Sequence, residues 1–125
     1  LHRKDRKIDA FFVTLNKTES DYSPTTMYDD YAISDRLFHW QSQRVTSPES
    51  NTGQRYIQHQ RLGYTPLLFV REHKKLQDGR TSPYVYLGPA RYVSHTGTKP
   101  MSIIWQLENP IPARLREQTI RSQTA

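Results

Sequence analysis

The densest recognition chemistry in this sequence lies between His39 and Tyr56. The segment reads His39-Trp40-Gln41-Ser42-Gln43-Arg44-Val45-Thr46, then a loop, then Thr52-Gly53-Gln54-Arg55-Tyr56. A glutamine amide donates and accepts at once, which suits the edge of a nucleic-acid base. Arginine pairs with phosphate or with the O6/N7 edge of guanine. Serine and threonine hydroxyls and loop N–H groups suit phosphate oxygens. Trp40 and Tyr56 carry flat faces on which an exposed base could stack. A solvated loop beside a core tryptophan has the same composition. From these residues alone the two readings stand level.

Catalytic patterns are weaker. The five histidines are His2, His39, His59, His73 and His95. None forms an HxH or HExxH pair, so a hydrolytic metal centre has no local ligand set. Asp29 and Asp30 could hold a divalent cation with a third carboxylate. Adjacent acids near the start of a short helix are more often a surface pair favoured by the helix dipole. No GxSxG, Walker or GxGxxG pattern occurs. The absence of cysteine excludes disulfides, thiolate zinc sites, Fe–S clusters and cysteine nucleophiles. The expectation is a chain that is not itself an enzyme and carries no metal or cofactor.

The elements that must position these residues are mostly strands. Ala10–Leu15, Leu37–Gln41, Pro66–His73, Tyr84–Leu87, Ala90–His95 and Met101–Leu107 are rich in β-branched and aromatic residues. In the last run Met101, Ile103, Trp105 and Leu107 alternate with polar residues, which predicts one buried face and places Trp105 in the core. Asn51 is placed to cap a helix from Thr52 to about Leu62, with Gln54 reaching back and Gly63 stopping it. Met27–Ser34 has the spacing of a short helix, and Ala113–Ile120 suggests another. Gly88-Pro89 reads as a strand break. The turns between the later strands are too short for parallel crossovers. The prediction is α+β but mostly β: a small antiparallel β-barrel with two or three short helices. Residues 1–8 read as a linker remnant of a longer protein, 9–120 as a single domain and 121–125 as a tail.

Composition narrows the class. Hydrophobic residues are 34%, but eight Tyr, four Phe and two Trp supply large apolar area for a core. No apolar run reaches the length of a membrane span, and the polar, basic first ten residues do not read as a signal peptide. Charge is asymmetric. Residues 1–35 hold five basic and seven acidic groups, net −2, and residues 36–125 hold thirteen and five, net +8. A basic surface of this kind attracts polyanions, nucleic acid first.

The phrases "DAFFVTLNKTESDYSPTTMYDDYAI", "LFHWQSQRVTSPESNTGQRYI", "LLFVRE" and "SPYVYLGPARYVSHTGTKPMSIIWQLENPIP" resemble a bacterial domain of unknown function. That family sits at the C-terminus of large proteins with a phospholipase-D-type nuclease and a superfamily-2 helicase. The resemblance runs from about Asp9 to Pro112. It is most distinctive over Phe38–Gln43 and Tyr92–Met101. Proteins of this architecture include modification-dependent restriction enzymes, which cut DNA carrying methylated or hydroxymethylated cytosine. This chain has none of the helicase motifs. The resemblance therefore implies the specificity module of an ATP-dependent endonuclease in the bacterial cytoplasm. Its partners would be modified double-stranded DNA and the upstream nuclease and helicase domains, with no membrane.

A reader of 5-methyl- or 5-hydroxymethylcytosine either senses the C5 substituent in the major groove or flips the base into a pocket. For flipping, Tyr28, Tyr31, Trp40 and Tyr56 are the candidate walls, and Asp29 or Asp30 the acceptor for the cytosine amino group. Small barrels of the SRA/PUA-like kind do this in other readers, a fold analogy only. The candidate DNA contacts are His39, Gln41, Ser42, Gln43, Arg44 and Thr46, with Arg55 on phosphate. The alternatives are a protein-interaction or regulatory domain docked on the upstream helicase, and a metal-dependent nuclease using Asp29, Asp30 and a histidine.

Overall fold

The computed structural model describes residues 2–3, 5–16 and 30–116. In chain order the elements are β1 (His2–Arg3), β2 (Ile8–Asn16), β3 (Tyr31–Ala32), β4 (Leu37–Gln41), α1 (Asn51–Ile57), α2 (His59–Leu62), β5 (Thr65–His73), β6 (Val85–Thr96) and β7 (Ser102–Leu107). A helical turn follows over residues 113–116. The strands form one curled sheet in the order β1-β2-β5-β6-β7-β4-β3. This half-barrel is the small, mostly β, α+β architecture that the sequence predicts.

One pairing departs from expectation. β2 and β5 run parallel, with Phe12 opposite Phe69 and Val13 opposite Val70. The turns among the later strands are indeed short, and those strands pair antiparallel. The crossover lies earlier: the chain between β2 and β5 contains β3, β4, α1 and α2, ample length for a parallel connection. At the N-terminus His2 and Arg3 pair with Asp9 and Ile8. Part of the segment read as a linker therefore belongs to the sheet.

Two further differences are local. Met27–Ser34 reads as a helix, but Tyr31–Ala32 is a strand paired with Phe38–His39. Cross-strand stacking of Tyr31 on His39, with centroids 4.4 Å apart, outweighs helical spacing there. Gly88-Pro89 does not end a strand, because β6 runs continuously through both. Gly88 takes φ 99°, and the register against β5 shifts at Leu68/Phe69. The glycine therefore marks a bulge.

The core follows from alternation. Ile103, Trp105 and Leu107 of β7, with Met101 just before the strand, are buried in one cluster with Phe38, Phe11, Leu68 and Val70. Rings of Phe11, His59, Trp40, Tyr56 and Tyr92 surround Trp105 at 5.5–6.5 Å. Its indole N–H is buried without a hydrogen-bond acceptor among the described residues.

α2 is fastened to β6 by one imidazole. The backbone N–H of Tyr92 donates to His59 Nε2 at 3.0 Å, and His59 Nδ1 lies 3.1 Å from the carbonyl of Tyr64. A backbone N–H can only donate, so Nε2 must accept and Nδ1 must carry the proton. Burial holds the His59 pKa below its ordinary 6.5, against smaller opposing contributions from Tyr64 and Asp9. A depressed folded-state pKa gives stability that is present above 6.5 and lost as pH falls through the lowered value. Urea denaturation at pH 7.5 and pH 5 should show the wild type weakening at the acid end. His59→Gln should be weaker at both and lose that part of the pH dependence.

Candidate nucleic-acid interface

The period of a strand divides the recognition segment in two. Phe38 and Trp40 of β4 face the core, whereas His39 and Gln41 face outward, opposite Ile104 and Ser102 of β7. The alternation continues into the loop. Ser42 is fully buried, while Gln43 and Arg44 are exposed.

The loop is clamped onto the β6–β7 hairpin. Ser42 N–H donates to the Met101 carbonyl at 2.9 Å, and Met101 N–H donates to Ser42 Oγ at 2.9 Å. Ser42 Oγ–H donates onward to the Gln43 carbonyl. Lys99 N–H donates to the carbonyl of buried Thr46 at 2.9 Å. Lys99 takes φ 50°, a left-handed conformation uncommon for a side-chain-bearing residue. On the far side, α1 closes on the loop. Its N-cap is Ser50, not Asn51, and Ser50 Oγ accepts from the Gly53 N–H at 3.0 Å. Gln54 Nε2 donates to the Pro48 carbonyl at 2.6 Å, in place of reaching back to the cap. A Cβ on Gly53 would lie 2.0 Å from the Ser47 carbonyl oxygen, so only glycine permits this approach.

The outcome is a rigid tip. Gln43, Arg44 and Val45, the last 78% exposed, stand beside Thr98 and Lys99 at the end of the sheet where β4 and β6 finish and β7 begins. One row inward on the outer face are Gln41, whose Nε2 lies 3.4 Å from Ser102 Oγ, and the stacked Tyr31–His39 pair. Sequence reasoning missed Thr98, Lys99 and Val45. The first two lie more than fifty positions from the loop and meet it only through the hairpin. Val45 reads as ordinary until the loop is seen to turn it outward.

The other candidates lie elsewhere. Ser42 and Thr46 are structural clamps whose side chains are buried. Trp40 packs against Phe11 at 4.5 Å and Tyr56 at 5.4 Å. Burial pushes the Tyr56 phenol up to about 12, with the Asp9 charge adding to it. These two rings are part of the aromatic core cluster. Asp30 accepts a hydrogen bond from the Gln41 N–H at 2.9 Å. Tyr28 and Asp29 lie outside the described residues. Among the described residues no group of His, Asp or Glu is arranged to hold a metal ion. None of the helices described is long and apolar enough to cross a membrane.

Arg55 is committed internally. Its Nε donates to Asp9 Oδ2 at 2.7 Å and its Nη2 to Asp9 Oδ1 at 3.0 Å. The guanidinium also lies 5.3 Å from the Tyr56 ring and 5.7 Å from that of Tyr64. This bidentate pair ties α1 to β2, and removing one partner strands a buried charge. Arg55→Ala should lower stability by about 3 kcal/mol. Equilibrium urea denaturation checks this.

The family model described as a domain of unknown function (DUF3427) matches residues 2–119. Comparison with curated proteins gives no match.

Proposed function

The chain belongs to the DUF3427 family, and we propose that it is a double-stranded-DNA-binding specificity domain. Its surface is the rigid tip formed by the 43–46 loop and the β6–β7 hairpin. The observation that carries this reading is the clamp itself. Two buried hydroxyl residues, Ser42 and Thr46, hold Gln43, Arg44 and Val45 outward beside Lys99. Pre-organised side chains lose less entropy on binding, and two-stranded ribbons fit the major groove.

The proposed roles follow from side-chain chemistry. Arg44 reads a guanine edge or a phosphate, and Gln43 reads a base edge. Lys99 and Thr98 contact phosphate. Val45 offers methyl groups to a C5 substituent of pyrimidine, as apolar side chains do to the thymine methyl. Modified cytosine, 5-methyl or 5-hydroxymethyl, is then read in the groove. Trp40 and Tyr56 spend their rings on Phe11 and Trp105, which favours groove readout over a flipped base held between them. In the full protein the domain would direct an upstream nuclease and helicase, the architecture that the resemblance of its sequence implies.

Fluorescence anisotropy of one duplex carrying cytosine, 5-methylcytosine or 5-hydroxymethylcytosine, over several salt concentrations, tests the reading. Binding should weaken with salt, and Arg44→Ala and Lys99→Ala should each reduce the slope by about one counterion. A modified duplex should bind about tenfold tighter, or about 1.4 kcal/mol. Val45→Ala should shrink that ratio without changing the salt slope. Absence of salt-dependent binding by the wild type would overturn the proposal.

A further inference from the structure

A second surface lies on the outer face of β2, β5 and β6. Phe12, Phe69 and Tyr86 stand in register across these three strands. Phe12 and Phe69 are nearly parallel, with centroids 4.9 Å apart, and Phe69 and Tyr86 are 5.0 Å apart. Tyr84 meets the Phe12 ring edge-on at 5.3 Å. Phe12 is 51% exposed and Tyr86 54%. The solvent-facing side of a sheet is ordinarily polar. Four adjoining aromatic rings there contribute nothing to the core on the opposite face.

Arg71 joins this strip to a cavity. Its guanidinium lies 4.3 Å from the centre of the Tyr84 ring, and the residue is only 8% exposed. It donates to Thr14 Oγ1 at 2.8 Å and to the Ser82 carbonyl at 3.2 Å. Both acceptors are neutral, so among the described residues this buried cation has no carboxylate partner. The cavity beside it, about 330 Å³, is also lined by His73, Lys75 and Arg114. Glu72, the one acid in its lining among the described residues, is engaged by Arg114 at 3.0 Å.

We propose that this face binds single-stranded nucleic acid. Bases stack on Phe12, Tyr86 and Tyr84, and a backbone phosphate enters the cavity against Arg71 and Lys75. Stacking platforms beside a cationic groove are how single strands are held without sequence preference. Charge complementarity selects this occupant. An apolar protein segment would leave the Arg71 cation uncompensated. A second copy would bring another chain of net charge +6 to the same cations. The surface shares no residue with the loop–hairpin tip, and the proposal stands whether or not the duplex reading does.

The test is anisotropy of a labelled oligothymidylate of about 16 nucleotides, within the range such surfaces occupy. The wild type should bind it with salt-dependent affinity. Tyr86→Ala should weaken binding by between about fivefold and a hundredfold, and Phe12→Ala by a similar factor. Tyr86 is the more exposed ring, so Tyr86→Ala decides the matter if Phe12→Ala does not fold. Arg44→Ala and Lys99→Ala should leave oligothymidylate binding unchanged, which separates this surface from the duplex tip. Unchanged affinity in folded Tyr86→Ala, or no binding by the wild type at low salt, would overturn the proposal. So would concentration-dependent dimerisation that Tyr86→Ala abolishes, or inorganic phosphate displacing the strand while both ring variants bind it normally.

Discussion

A carboxylate buried inside a protein must find a cation, and Asp9 finds Arg55. Much of the architecture hangs from that requirement. Asp9 is on β2, one strand from the edge of the sheet, and Arg55 is on α1, which lies far along the chain. Satisfying both oxygens with one guanidinium fixes the position of α1 over the inner face. Tyr56, the next residue, is thereby placed against Phe11 and Trp40. The start of the same helix, through Gly53, seats the loop that follows β4. Burial alone would lower the Arg55 pKa, but the hydrogen bond and charge of Asp9 outweigh it and the net direction is upward.

Much of this was legible in the sequence. The alternation of Met101, Ile103, Trp105 and Leu107 locates the central buried strand and the core tryptophan, because period 2 is a local property. Leu37–Gln41 and Gly63 as the helix stop were legible for the same reason. The parallel pairing of β2 with β5 was not, since nothing in either strand states its partner. Nor was the fate of Arg55. A surface arginine and one locked to a buried aspartate have the same neighbours in sequence, and only the fold brings Asp9 to it. The recognition segment was half legible. Its chemistry was plain, but alternation turned Gln41, Gln43 and His39 out and Trp40 and Ser42 in.

β6 organises both surfaces. Its first half pairs with β5 and carries Tyr86, and its second half pairs with β7 and ends at the hairpin that holds Lys99. A register shift between Tyr92 and Ser94 lies in the second half. Bulges increase local twist, and this one occurs where the strand has left β5 and is supported instead by His59. The curl of the sheet and the anchoring of α2 therefore meet at the same few residues.

The parallel pair also shapes how the protein is made. Thr14 meets Arg71 across a sequence separation of 57 residues. Contacts this distant form late, because the intervening chain must be ordered first. On a ribosome, Ala10-Phe11-Phe12-Val13-Thr14-Leu15 would emerge long before β5 exists to receive it. During that interval a strand of high β-propensity has only the two residues of β1 beside it among the described elements. Such a nascent segment invites pairing with the wrong chain. The geometry that joins β2 and β5 in a parallel seam thus makes β2 a strand in need of protection at birth.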